Sequence, residues 1–475
     1  MTLIHPSPIP DLATLGKVHF IAIGGAGMSG VASAFMARGV NVSGSDQADS
    51  ETLRALAGEG AEVWVGHDAA HVRGADTVVV STAIRQDNPE LAEARRLGLP
   101  VLHRSTALAA LMPGSQVVAI AGTHGKTTTT AMCVAALTSA GQDPSYVIGG
   151  TSLDSGTGSH MGSSPYFIVE ADESDGSFRQ YPTRVAVITG IEADHLDNWV
   201  TEEAYAHGFE EFATGDEVGL VILDADNPGA QKLGEKLARQ GRAVVRYGQG
   251  EDCDVRLTRI DAHGGSGQAY VTMRPLAGTT MTQWSGLLKV CLPGLHNLYN
   301  AAAALCVTAA LGLDPVTALK GLESFHGTAR RFQRIGEARG VLVVDDYAHH
   351  PTEVAATIEA AREVAGTGRV IVCFQPHLFT RTRDFADDFG TALAMADEAV
   401  VVDIYPARED PIPGVTGELV ADAVAAHGGH VRYVPDMADA TDVLVSLARP
   451  SDVVLTVGAG SVTTLAPIVL AGLEG

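Results

Sequence analysis

Short apolar runs alternate with helix-spaced segments along the whole chain, and this rhythm constrains the fold more than any single motif. The runs VHFIAI (18–23), VNVSGS (40–45), AEVWV (61–65) and TVVVS (77–81) have strand length. Segments bearing Ala, Leu and Met at helical spacing lie between them, with Gly and Asp at the joints. A sheet whose strands are joined through helices is parallel and covered on both faces, so the pattern predicts an α/β protein. The rhythm restarts twice, after MPGS (112–115) and near FHGTARRF (325–332). The expected domains are therefore 1–112, 113–327 and 328–475, which agrees with ~150 residues per domain. Polar alternating runs within 253–292 predict a small antiparallel sheet added to the central domain. The stretch GTGSHMGSSP (156–165) reads as a surface loop or lid.

The 32 Lys and Arg against 56 Asp and Glu give a net charge of −24. A surface that acidic repels a polyphosphate backbone, which argues against nucleic-acid binding but leaves room for a small anion at a local basic site. The five cysteines, Cys133, Cys253, Cys291, Cys306 and Cys373, form no CxxC pair, as expected of a reducing compartment without a disulfide framework or thiolate zinc site. The opening MTLIHPSPIPDLATLG lacks a basic region ahead of an apolar stretch, and no uncharged run is long enough for a bilayer. The expectation is a cytoplasmic protein with no membrane partner.

Two stretches have the form of phosphate loops. QVVAIAGTHGKTTTTAM (116–132) runs from an apolar strand through a Gly-rich turn into a helix. Backbone N–H groups of such a turn cradle phosphate oxygens, with Lys126 to neutralise the β- and γ-phosphates and Thr127 to place its hydroxyl on Mg²⁺. The loop is shorter than the usual P-loop, since Ile120 stands where the first Gly is expected. GAGMSG (25–30) also follows a strand, and Asp46 follows the next one, suiting a ribose hydroxyl. Read alone, this second loop fits NAD as well as a UDP-sugar.

Acidic residues in VEADESDGSF (169–178) and His195 in IEADHLD (191–197) follow apolar runs, so they could hold a metal or simply form a solvated loop and a helix cap. LPGLHNLYNAAAA (292–304) carries His296, Asn297 and Asn300, which suit a purine edge or helix capping. TARRF (328–332) offers an Arg to a transferring phosphoryl group. DDYAHHP (345–351) and FQPHLFTRTRD (374–384) place His, Tyr and Arg at strand ends, where Arg can pair with a carboxylate.

In this order GGAGMSG, GTHGKTTTT, EADESDGSF, IEADHLD, GLHNLYNAAAA, TARRF, DDYAHHPTE and FQPHLFTRTRD resemble the Mur ligases, most closely those that add L-alanine. The resemblance covers essentially the whole chain. It implies a Rossmann-like N-terminal domain for the UDP-sugar, a central P-loop ATPase-type domain and a Rossmann-like C-terminal domain for the amino acid. It implies that ATP phosphorylates the lactyl carboxylate of UDP-N-acetylmuramate and that the amine of L-alanine attacks the acyl phosphate. Such chemistry needs positioning and charge neutralisation rather than a protein nucleophile.

By the same resemblance Gly122, Thr123, His124, Gly125, Lys126, Thr127 and Thr128 wrap the ATP phosphates. His296, Asn297 and Asn300 hold adenine. Thr127, Glu173 and His195 bind metal, two Mg²⁺ or in their place Mn²⁺. Arg331 reaches the γ-phosphate and Asp346 lines the nucleotide. Tyr347, His349, His377, Arg381 and Arg383 surround alanine and the reacting carboxylate. Gly25, Ala26, Gly27, Met28, Ser29 and Gly30, with Asp46, hold the uridine diphosphate. Lys126 and Arg331 fall in different expected domains, so the C-terminal domain is expected to close over the central one.

Three positions depart from the family pattern. No Lys lies between His195 and Val221, so no carbamylated lysine is expected. Gly190 stands where Asn is frequent, and Leu378 stands where some members carry Arg. The sequence leaves open a murein-tripeptide ligase acting on the same UDP-sugar, a nicotinamide-dependent dehydrogenase that would leave GTHGKT unused, and a nucleotide-gated module without catalysis. Monomer and homodimer both remain open.

Overall fold

The computed structural model describes residues 3–276, 279, 281–407 and 409–475, with the backbone alone for Ala26 and Asp197. Three sheets carry the chain. The first has five strands in the order Glu62–Val65, Val42–Asp46, Val18–Ile21, Thr77–Val80 and Val101–His103. Its pairings are parallel, with Val18 opposite both Val42 and Thr77. The central strand Val18–Ile21 is buried at every position, as a strand covered by helices on both faces must be. It ends two residues before the apolar run does. Ala22 turns to φ +61° and its carbonyl accepts from Gly25 N–H, which starts the loop early.

The middle sheet centres on Gln116–Ala121, flanked in parallel by Thr183–Ile188 and Tyr166–Glu170. The alternating runs of 253–292 form Val255–Asp261, Gly267–Met273 and Trp284–Val290. They extend this sheet at one edge, where Tyr247 pairs with Val255 and Gly248 with Arg256. The stretch 156–165 is mostly loop with a two-residue strand, Ser159–His160. The third sheet is parallel across Val341–Asp346, Val453–Val457, Val370–Phe374, Glu398–Val401 and Val431–Tyr433, with Gln333–Ala338 antiparallel at its edge.

By compactness the chain forms two units. One comprises Met1–Thr258, Tyr270–Leu288 and Tyr299–Glu323, the other Arg259–Ala269, Lys289–Leu298 and Ser324–Gly475. In the first unit Leu108, Leu111 and Met112 share one apolar core with Val117, Ala119 and Phe167, so the restart near residue 113 is packed over rather than separated by a free linker. In the second, both faces of the third sheet are apolar. Val344, Val372 and Leu455 pack on one side, and Val343, Ile371 and Val454 on the other. All five cysteines are free thiols. Among the described residues no helix is long and apolar enough to cross a membrane.

Candidate functional site

In the first unit, two helices begin directly after glycine without a side-chain cap: Ala26–Ala37 after Gly25 and Lys126–Ser139 after Gly125. Their neighbours Glu51–Glu59, Pro89–Leu97 and Glu202–Ala213 are capped by Ser50, Asn88 and Thr201. The uncapped first-turn N–H groups and the positive end of the helix dipole suit an anion in each case.

The loop after strand Gln116–Ala121 is held from several sides. Gly125 adopts φ +79°, and a Cβ there would lie 2.6 Å from Asn300 Oδ1, which accepts from Thr129 Oγ1 at 3.1 Å. Only glycine satisfies both demands. Thr123 Oγ1 contacts Tyr205 Oη at 2.9 Å and accepts from Glu192 N–H at 2.9 Å. His124 Nε2 lies 3.0 Å from Glu192 Oε2, and Thr189 Oγ1 donates to the His124 carbonyl. Thr128 is buried.

Lys126 Nζ donates to the Gly122 carbonyl at 2.7 Å, the Thr123 carbonyl at 3.2 Å and Glu173 Oε1 at 2.8 Å. Glu173 is fully buried, and its Oε2 has no hydrogen-bond partner among the described residues. Burial lifts its carboxyl to about 8 despite Lys126. His195 Nε2 lies 3.9 Å from Glu173 Oε1 and 3.4 Å from Asp194 Oδ2. Trp199 Nε1 donates to the Glu173 carbonyl at 2.9 Å and fixes the segment. Thr127 Oγ1 donates to Glu170 Oε1 at 3.1 Å, and Glu170 Oε2 accepts from Gly149 N–H. The structure thus brings Lys126, Glu173 and His195 together, and it pairs Thr127 with Glu170, a residue the motif reading did not single out. A buried carboxylate with one oxygen unpaired, a histidine at its edge and a second carboxylate on a threonine is a donor set that fits a divalent cation.

Around the first glycine loop, the Gly25 carbonyl accepts from Met28 and Ser29 N–H at 2.9 Å each and begins the helix; Met28 is buried. Gly30 faces Val147, 3.4 Å from where a Cβ would stand. Asp46 Oδ2 accepts from Gly24 N–H at 2.9 Å, so this carboxylate steadies the loop itself. Arg104, directly after edge strand Val101–His103, was not foreseen. A Cβ at Gly27 would stand 2.9 Å from its Nη1, and its Nη2 donates to Asp172 at 3.1 Å. It is a cation between the glycine loop and the acidic segment. The only sequence signal for it is a basic residue at a strand's C-terminal end. At Gly190, a Cβ would stand 3.1 Å from Asn227 Nδ2, and Asn227 Oδ1 accepts from Ile191 and Ala230 N–H. An amide therefore lies beside Gly190.

In the second unit, Asp346 accepts from Phe332 N–H at 2.6 Å and Ala348 N–H at 2.7 Å, and burial holds its carboxyl at about 6 against the pull of Arg331. Arg330 donates to the carbonyls of Gly458 at 2.7 Å and Gly460 at 3.1 Å, so it is the structural member of the arginine pair. Arg331 lies over the Tyr347 ring, 5.0 Å from its centroid. Rings follow one another from Tyr347 to His349 at 5.3 Å, to His377 at 6.1 Å and to Tyr405 at 5.9 Å. Arg381 is buried near the start of helix Phe379–Leu393. Arg383 is half exposed and forked onto Asp384, so the structure does not draw it into the ring cluster. Leu378 is buried at φ +70°, its N–H bonded to the Tyr405 carbonyl. Asn297 Nδ2 donates to the Pro293 carbonyl at 2.7 Å, as a capping residue would, and His296 is exposed.

Comparison with known proteins covers almost the whole chain. Residues 17–116 match the Mur ligase family catalytic domain, 120–308 the Mur ligase middle domain and 330–460 the Mur ligase glutamate ligase domain. A UDP-N-acetylmuramate–L-alanine ligase of Cutibacterium acnes is 55% identical over 100% of both chains. Its counterpart in Kineococcus radiotolerans is 53% identical over 97% of both. The crystal structure of the Thermotoga maritima UDP-N-acetylmuramate–alanine ligase superposes with a TM-score of 0.81 at 29% identity, covering 96% of this chain and 98% of that one. A murein peptide ligase from Psychrobacter arcticus shares the fold, with a TM-score of 0.74 at 24% identity over 97% and 99%.

Proposed function

This chain belongs to the Mur ligase family, and on that premise we infer that it joins L-alanine to the lactyl carboxylate of UDP-N-acetylmuramate at the expense of ATP. The observation that carries the reading is full-length identity above one half to an alanine-adding relative, together with an intact Lys126–Glu173–His195 constellation. The reaction proceeds through an acyl phosphate, and the amine of alanine displaces phosphate from it. No protein nucleophile is required, and what the site supplies is position and charge.

Each group has a defined task in this proposal. The loop Gly122–Thr128 receives the ATP phosphates on its N–H groups, and Lys126 offsets their charge. Asn300 fixes the start of that helix, and adenine is the proposed partner of His296, Asn297 and Asn300. Glu173 and His195, with Thr127 and Glu170, would hold Mg²⁺, which supplies charge neutralisation at the phosphates. The loop Gly25–Gly30, steadied by Asp46, takes the uridine diphosphate, and Arg104 supplies its counter-charge. Tyr347, His349, His377 and Arg381 form the alanine side, Arg331 serves the γ-phosphate, and Asp346 orients that segment. The three expected domains, divided near 113 and 328, then correspond to UDP-sugar, ATP and amino acid, and the enzyme works in the cytoplasm.

The test is phosphate release from ATP with Mg²⁺ and UDP-N-acetylmuramate, with L-alanine present or omitted. Release that requires both substrates is expected. Release with a murein tripeptide but not with alanine would overturn the assignment in favour of the recycling reaction. Arg104→Ala is expected to raise the KM for the UDP-sugar about 10- to 100-fold, since hydrogen bonds to charged groups are worth ~1.5–3 kcal/mol. The KM for ATP should change far less, and an unchanged UDP-sugar KM would remove Arg104 from the site.

A further inference from the structure

A buried carboxylate on a helix packed against the first sheet has no part in the chemistry above. Glu90, the second residue of helix Pro89–Leu97, is fully buried. Its Oε2 accepts from Ser45 Oγ at 2.6 Å and lies 3.2 Å from His67 Nδ1 and 3.6 Å from His19 Nε2. Its Oε1 lies 2.7 Å from His71 Nδ1 and accepts from Asp68 N–H at 3.3 Å. Burial alone would raise its pKa, but the contacts with His19, Ser45 and His71 hold it at about 2, so the group is an anion. His71 in turn stacks on Trp64 at 4.6 Å and 9°.

A buried ionic cluster is seldom the cheapest way to fill a core, because apolar residues of similar volume often serve as well or better. What it provides is fixed direction. Ser45, held by Glu90, directly precedes Asp46, whose carboxylate takes the Gly24 N–H at 2.9 Å and whose carbonyl takes the Gly66 N–H at 2.7 Å. The loop 67–71, held by the same carboxylate, follows strand Glu62–Val65 at the ligand edge of the sheet.

We propose that Glu90 is a positioning residue for the UDP-sugar, acting through Ser45 and Asp46 on the glycine loop and through His67 and His71 on the adjacent loop. The proposal rests on the assignment of Gly25–Gly30 to the uridine diphosphate. It predicts a selective defect, because the contacts of Glu90 run to Ser45, His67, Asp68 and His71, on and beside the strands of the first sheet.

Calorimetric titration of the full-length protein with UDP-N-acetylmuramate, and separately with a non-hydrolysable ATP analogue, tests it. Glu90→Gln keeps the shape but removes the charge, and it is expected to weaken UDP-sugar binding at least tenfold. Its ATP-analogue affinity should stay within twofold, and in steady state KM for the UDP-sugar should rise while kcat at saturation holds. Equal losses for both ligands would mark a general structural role and overturn the proposal, as would unchanged UDP-sugar affinity. If Glu90→Gln does not fold, Ser45→Ala and His71→Asn each remove one arm of the cluster and must show the same selectivity, less strongly. Failure of the wild type to bind the UDP-sugar would instead overturn the loop assignment, so the two failures are distinguishable.

Discussion

Replacement of Lys126 by alanine is expected to lower phosphate release with both substrates present by about 10²–10³-fold, the usual cost of removing one preorganised group that stabilises transition-state charge. The ammonium is placed for this. It is held by two loop carbonyls and Glu173, so little reorganisation is needed when phosphates arrive. Binding of UDP-N-acetylmuramate should be nearly unchanged, because the glycine loop and Asp46 lie on a different sheet. Glu173 loses with Lys126 a cation 2.8 Å from its Oε1 and becomes still harder to ionise. Undiminished turnover in the variant would rule out the phosphate-loop assignment.

Glu173→Gln is expected to lower turnover by a similar factor and to remove a proton from the metal-binding equilibrium. In the cation-free protein, burial keeps the carboxyl at about 8, so below that pH the group holds its proton. A divalent cation must displace that proton. Metal affinity should therefore rise with pH up to about 8 and fall by as much as about tenfold per unit below it. Calorimetry at pH 7 in two buffers of different ionisation enthalpy should register release of close to one proton in the wild type and none in Glu173→Gln. The same shift fixes the sign for stability. A carboxyl whose folded pKa exceeds its unfolded value stabilises the cation-free fold at pH below ~4.3, and that contribution is lost as pH rises towards 8. Metal affinity that is flat between pH 6 and 8 would contradict this account of the site.

The sequence by itself determined the α/β class, the two glycine loops between strand and helix and the order of the motifs. Each of these is local. A strand running into a glycine turn and a helix is written in contiguous residues, and the alternation of apolar runs follows from strands buried on both faces. Lys126, Glu173 and His195 stand out in the sequence for the same reason, since each follows a buried strand within a few residues, on the loop or helix start at its C-terminal end. Tertiary structure alone decided what these groups touch. It directed Thr127 to Glu170 and set Arg104 against Gly27, contacts across 43 and 77 positions of chain that no spacing rule connects. It divided the arginine pair, tying Arg330 to the carbonyls of Gly458 and Gly460, and it left Arg383 on Asp384 at the surface. It also gathered His19, Ser45, His67, His71 and Glu90, which are unremarkable singly in the sequence, around one buried charge. Local pattern fixes where the chain turns, because backbone sterics act over a few residues. Pairing of charges is settled only when burial removes water and leaves each polar group to the partner that packing has brought within reach.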